Sequence, residues 1–199
     1  MDPDPLEYAH KEEHEEAKSK SQLNTLVAIA VALLATFMGI CKVKDDNIVQ
    51  AMQQAQADKI DSYSWYQARN IREEVANAVA AQLAAQEAAA PQNVRAVYDA
   101  EIAKYQAIGQ EQSEKKRVQQ SDAEAADKRY NDLNTHDDQF DLSDALLSIA
   151  ISLLALTALT GKRWLYWVSM IPTALGVFMG LAGLFGWGIH PDALTRLLS

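Results

Sequence analysis

The sequence predicts an all-α integral membrane protein with three transmembrane helices and a long, coiled-coil-like extramembrane antiparallel helical hairpin that turns near Pro91. Two observations carry that expectation. First, the apolar residues gather in 23–41, 142–160 and 164–187, each close to the ~20 residues needed to cross a ~30 Å hydrocarbon core. Second, the polar stretch between the first two runs is split by Pro91 into two arms of about fifty residues, rich in Ala, Gln, Glu, Lys and Arg and free of other prolines. Proline removes a helix hydrogen bond, clashes with the preceding turn and pushes its predecessor away from helical angles. Equal arms around one breaker return both ends to the same membrane surface, and at 1.5 Å per residue the hairpin would extend roughly 65–75 Å. The implied segments are 1–21, acidic; 22–42, first span; 43–141, hairpin with arms 43–90 and 92–141; 142–161, second span; 164–187, third span; and 188–199, tail.

Composition alone points elsewhere. A chain of 199 residues that is 49% hydrophobic reads as globular until its apolar residues are seen to be segregated. The net charge of −9 is segregated too, with seven acids against three bases in 1–20 and nineteen against twelve in 42–144. That balance disfavours a nucleic-acid partner, which needs a basic face to displace counterions from phosphate. The arms mix both signs, as a solvated helix surface does. The single cysteine, Cys41, excludes an intramolecular disulfide. Ile40 stands before it, where bacterial lipidation wants a small residue, so the thiol is expected to be buried or interfacial.

Residues 1–20 lack the basic leader and cleavage site of a secretory signal, and the first span is read as an uncleaved anchor. His10 and His14 stand at i and i+4, a spacing that can share zinc. His10 is not followed directly by glutamate and no third ligand is identifiable, so a solvated acidic helix is preferred and no metal or other cofactor is expected. In the first span Ala28, Ala32, Ala35 and Gly39 form a stripe of small residues that would let helix backbones approach closely in lipid. Lys42 and Lys44 mark the interface, and with no breaker after them the helix is expected to continue into the first arm.

That arm carries Ile48, Met52, Ile60, Tyr63, Ile71, Val75, Val79 and Leu83 at roughly helical spacing, diluted by alanine and glutamine. The second arm offers Val94, Val97, Tyr98, Ile102, Tyr105 and Ile108, then few apolar residues between Gly109 and Arg129. Strong heptads would keep apolar residues at both seam positions throughout, so a loose, alanine-rich pairing that needs neighbours is expected. Tyr63, Trp65 and Tyr66, with Arg69 and Arg72, could form a stacking or cation–π platform. The preferred reading is packing, Tyr63 and Tyr66 thickening the seam and Trp65 covering its flank.

His136-Asp137-Asp138 could bind metal or accept protons, but adjacent helical residues point in different directions. With Asp141 and Asp144 they read as an acidic interfacial collar and helix start. The second span has its own small stripe of Ala145, Ser148, Ser152 and Ala155, and the third carries Gly176, Gly180 and Gly183 after Pro172, where a kink is expected. No span holds a charged residue at mid-depth, which argues against an ion or proton path. Ala193, Leu194, Leu197 and Leu198 give the tail an amphipathic turn suited to the interface.

Several of these stretches together resemble an uncharacterised family of small bacterial membrane proteins known as a domain of unknown function. The resemblance rests on the acidic leader and first span, Trp65-Tyr66-Gln67-Ala68-Arg69-Asn70-Ile71, His136-Asp137-Asp138-Gln139-Phe140, the second span, and Lys162-Arg163-Trp164-Leu165. It covers most of the chain, least so the tip around Pro91 and the tail. It implies one N-terminal span, a long helical hairpin and two C-terminal spans, and supplies no catalytic residues.

Lys162, Arg163, Lys18 and Lys20 place the short turn and the N-terminus in the cytoplasm and the hairpin in the periplasm, against Lys42 and Lys44. The expected location is the bacterial inner membrane. The expected function is a non-enzymatic homo-oligomer, with the hairpin as scaffold or docking stalk and the lipid bilayer, its own copies and a further protein as partners. The alternative is a channel or transport-accessory protein with its spans ringed around a pore, for which Ser148, Ser152 and Thr36 are thin support. No phosphate loop, nucleophile elbow, catalytic acid pair or complete metal set is present to suggest an enzyme.

Overall fold

A computed structural model describes residues 5–189. Among them are three α-helices and no strand: α1 spans Pro5–Ala89, α2 Arg95–Thr160 and α3 Arg163–Phe185. The all-α expectation holds, and α1 continues past Lys44 without a break. The side chain of His10 and the tail 190–199 lie outside the described residues. The chain divides into two compact units, one of Met1–Val49 with Leu133–Ser199 and one of Gln50–Asp132.

In the first unit the three helices alternate in direction. Where α2 gives way to α3, Arg163 Nη2 donates to Ser19 Oγ at 2.8 Å, and the Lys20 stem lies against Gly161. Gly161 ends α2 at φ +68, a left-handed conformation that costs glycine little. The core is Val27 and Leu34 of α1 with Leu147, Ala150 and Leu154 of α2, flanked by Val31, Phe37, Met38 and Val177. Branched and aromatic knobs on α1 and α2 meet small residues on α3. A Cβ on Gly176 would stand 2.8 Å from Leu147, one on Gly180 2.7 Å from the Phe37 ring, and one on Gly183 2.7 Å from the Phe140 ring. Ser143, buried between them, donates to the Gly176 carbonyl at 2.8 Å. Pro172 lies inside α3, which continues through it to Phe185. At its end Gly186 adopts φ 69 and the Trp187 N–H reaches back to the Ala182 carbonyl at 2.9 Å, a Schellman closure.

Of the three small-residue stripes expected to pack, only that of α3 is buried. Ala28, Ala32, Ala35 and Gly39 face outward, as do Ser148, Ser152 and Ala155, while Ala145 is half-buried. The physical reason is that close approach needs a small residue on only one side of a contact. The glycines of α3 supply it, so α1 and α2 turn their larger residues inward.

In the second unit the α1 and α2 segments run antiparallel. Lys59 meets Asp127, Arg69 meets Gln112, Asn70 and Glu73 meet Lys116, and Asn77 lies beside Gly109, so from 59 to 77 on α1 the partners run back from 127 to 109 on α2. Pro91 sits in the break between the helices. There the Val94 N–H donates to the Pro91 carbonyl at 3.1 Å, and Arg95 Nε donates to the Ala90 carbonyl at 3.2 Å. The buried small residues of the seam are Ala55, Ala76 and Ala80 of α1 and Gly109, Ala123 and Ala126 of α2. The expected stripe is thus half wrong for this unit: Met52 is buried and Val79 and Leu83 are half-buried, but Ile60, Tyr63, Ile71 and Val75 are exposed. The seam repeats every seven residues, which carries it off the wider helical spacing of that stripe.

The glycine contacts give the first expected outcome. Gly180→Val forces a branched side chain into the Phe37 ring and Ser143, and should destabilise the first unit by about 1–3 kcal/mol, as overpacking does. Gly188→Ala, where a Cβ meets nothing within 4 Å, should leave the thermal midpoint unchanged. Melts of the two variants by circular dichroism check both.

Candidate functional site

The polar centre of the first unit is a cluster of carboxylates shared by α1 and α2. On α2, Asp137, Asp141 and Asp144 recur at i, i+4 and i+7, which places them along one face. On α1, Asp45 follows Met38 by seven residues on the inward side, and its side chain is only 5% exposed. Lys42 Nζ lies 2.8 Å from Asp45 Oδ2 and 3.3 Å from Asp46 Oδ1. Beside them is a cavity of about 30 Å³ lined by Met38, Cys41, Asp45, Asp141, Ser143 and Asp144, among others. Cys41 is buried there, as one of its two expected placements required.

Burial pushes the Asp137 carboxyl up to about 6; its hydrogen bond to Asp45 and the charges of Asp141, Asp45 and Asp138 add to the effect. Asp141 is raised as well, chiefly by burial and then by Asp45, with Lys42 opposing. The collar anticipated around Asp137, Asp138, Asp141 and Asp144 is therefore brought together. It is not a helix start, because α2 runs through it from Arg95 to Thr160. Nothing there interrupts the helix: no proline or glycine falls between Gly109 and Gly161. Among the described residues no group of three His, Cys, Asp or Glu side chains is placed to hold a metal ion.

Next to the collar, Gln139 is fully buried. Its Nε2 donates to the Trp187 carbonyl at 2.7 Å and the Ile189 carbonyl at 2.6 Å, while Oε1 lies 3.2 Å from His136 Nδ1. One amide thus ties down the chain that follows the Gly186 cap. In the sequence the only signal for Gln139 is an uncharged amide between two aspartates and the apolar start of a span.

The second unit holds the aromatic stretch. Tyr63 is 43% and Trp65 53% exposed, and Tyr66 is half-buried. The Arg69 guanidinium carbon lies 5.7 Å from the Trp65 ring centroid, and Lys116 Nζ lies 6.0 Å from that of Tyr66. Tyr66 therefore joins the seam as expected, Trp65 covers a flank, and Tyr63 contributes less than anticipated. Across the seam, Lys59 Nζ lies 2.6 Å from Asp127 Oδ1, Arg69 Nη1 donates to Gln112 Oε1 at 3.0 Å, and Lys116 Nζ lies 2.6 Å from Glu73 Oε2. Lys116 holds the Glu73 carboxyl below the usual range, outweighing its desolvation. These cross-seam partners were missed because each looks like an ordinary surface residue until the register is known.

Gln139→Leu keeps the volume but strands two carbonyls. It should cost about 1–3 kcal/mol, the range for a lost buried partner. Faster amide exchange at Trp187 and Ile189, with the rest of α3 unchanged, is the expected reading by hydrogen-exchange mass spectrometry.

These placements can be set against known proteins. No curated protein and no solved structure matches the chain. A family model described as a domain of unknown function (DUF4337) matches residues 23–186. The match opens at the buried Leu23 and ends on Gly186, the cap of α3, so it takes in the packed length of all three helices. The chain belongs to this DUF4337 family.

Proposed function

We propose that the chain is a non-enzymatic, homo-oligomeric protein of the bacterial inner membrane, in which 22–42, 142–161 and 164–187 cross the bilayer and the antiparallel pair of residues 50–132 is a coiled-coil-like hairpin serving as a scaffold or docking element. The observation that carries it is unsatisfied apolar surface. Each helix is long and apolar enough to cross a membrane, with windows of mean hydropathy 2.4, 2.0 and 1.8, yet only 17%, 33% and 33% of those windows is buried within the chain. Lipid covers such surface without cost to the backbone, because helices satisfy their own hydrogen bonds. Trp164 and Trp167 stand at one end of the third span and Trp187 at the other, where indoles favour the membrane–water interface.

Self-association is supported by the two outward stripes of small residues. Ala28, Ala32, Ala35 and Gly39, and likewise Ser148, Ser152 and Ala155, present the close-approach surface that membrane helices use for association. The hydroxyls of Ser152 and Thr36 donate to carbonyls of their own helices at 2.9 and 2.8 Å, which weighs against a pore lined by them. The proposed orientation has Lys18, Lys20, Lys162 and Arg163 in the cytoplasm and residues 50–132 in the periplasm, following the positive-inside preference.

The test is the mass of the full chain in mild detergent, by native mass spectrometry. One discrete multimer is expected, and Ala32→Leu combined with Gly39→Leu should convert it to smaller species while helicity is retained. A wild-type monomer at full helicity sinks the self-assembly reading.

A further inference from the structure

Within the first unit, one oxygen of the buried Asp45 carboxyl is left without a partner. Oδ2 accepts from Lys42, but Oδ1 is buried with no donor in reach. An ionised carboxylate buried without a donor is strongly penalised. The groups facing it make matters worse. From α2 come Asp137, Asp141 and Asp144, with Asp138 acting on Asp137 and Asp141 and His136 engaged by Gln139; from α1 come Cys41, Lys42 and Asp46; α3 has no titratable side chain between Tyr166 and its end at Phe185. One lysine thus stands among six carboxylates.

The Asp137 carboxyl is within hydrogen-bonding reach of Asp45. Two ionised carboxylates are acceptors only and cannot bond to each other, whereas a carboxylic acid can donate to a carboxylate. We propose that Asp137 keeps a proton and donates it to the Asp45 carboxyl, making this cluster a proton-binding site that latches α1 to α2 and empties as pH rises. A proton on Asp137 supplies the donor that the carboxyl–carboxylate contact otherwise lacks. A proton fits better than a metal ion, since no three donors are grouped for one among the described residues and Lys42 already occupies the other oxygen of Asp45.

The sign follows from linkage. Asp137 is raised to about 6 from 3.8, so between those values the folded chain keeps a proton that the unfolded chain releases. Stability is therefore highest below that window, falls as pH rises through it, and stays low above it. Above it Asp137 loses the proton that bridges it to Asp45, and the contact between α1 and α2 loosens there.

The experiment follows the thermal midpoint of the full chain in mild detergent from pH 4.5 to 8, for wild type, Asp137→Asn and Asp45→Asn, with carboxyl infrared spectra of the wild type. The wild-type midpoint should fall on the order of 5 °C across the window. Asp137→Asn, whose amide donates to Asp45 without a proton, should flatten that profile and exceed wild type at pH 8. A wild-type profile that does not fall, or one that Asp137→Asn and Asp45→Asn both leave unchanged, overturns the proposal. Should the variants fail to fold, the infrared spectrum decides: a protonated-carboxyl band present at pH 5 and gone at pH 8 upholds the bound proton, and its absence at pH 5 overturns it. Calcium or magnesium at pH 8 should leave the midpoint in place. A rise matching that of acidification, abolished by Asp137→Asn, would make this a cation site instead.

Discussion

Two helices stay paired over many turns only if the same face keeps turning toward the partner, and a straight α-helix drifts by about 20° per seven residues from a strict heptad. Much of this chain's architecture follows from meeting that constraint. From Val27 through Leu34, Cys41, Ile48, Ala55, Ser62, Arg69, Ala76 and Leu83, each seventh residue of α1 is buried or half-buried. The same step runs along α2 through Tyr105, Gln112, Gln119, Ala126, Leu133, Phe140, Leu147 and Leu154. What changes along the repeat is chemistry: branched and aromatic residues in the first unit, alanine, glycine and paired polar groups in the second.

That change shows how each unit brings its helices together. In the first, Leu147, Phe37 and Phe140 fill the hollows above Gly176, Gly180 and Gly183, so close approach is asymmetric, with bulk on two helices and its absence on the third. In the second, alanine lies on both sides, which gives little area per residue. Cross-seam ionic and amide partners then do what side-chain shape does not, because a row of alanines has no preferred alignment. Polar residues on a seam are best attested in that role of fixing register.

How much of this could be read in advance follows from the same repeat. The helices, the break at Pro91 and the collar were legible because a single proline, long apolar runs and clustered acids are local signals. The seam was less so. Ile60, Ile71 and Val75 drew attention by being apolar, while Arg69, Lys59 and Glu73 hold seam positions only because they find Gln112, Asp127 and Lys116 across the way. Likewise Ala28, Ala32, Ala35 and Gly39 lie one residue beyond Val27, Val31, Leu34 and Met38, the face that packs. A stripe of small residues announces that something can approach; it does not say whether that is the chain's own third helix.

The polar pairs of the two units differ in one respect that sets the collar apart. In the second unit the charges that meet across the seam face an opposite charge or a neutral amide: Lys59 faces Asp127, Arg69 faces Gln112, and Lys116 faces Glu73. In the first, Asp45 is a seven-residue step from Met38 and from Met52, so the repeat that keeps α1 in place also forces its carboxylate inward. Opposite it stand Asp137 and Asp141, and Lys42 reaches only one of its oxygens. A pair of opposite charge is indifferent to pH over the physiological range, whereas a pair of like charge can be buried only with a proton or a counter-ion between its members. The repeat therefore places, next to a region of the chain suited to lipid, one contact whose strength depends on what the surrounding solution supplies.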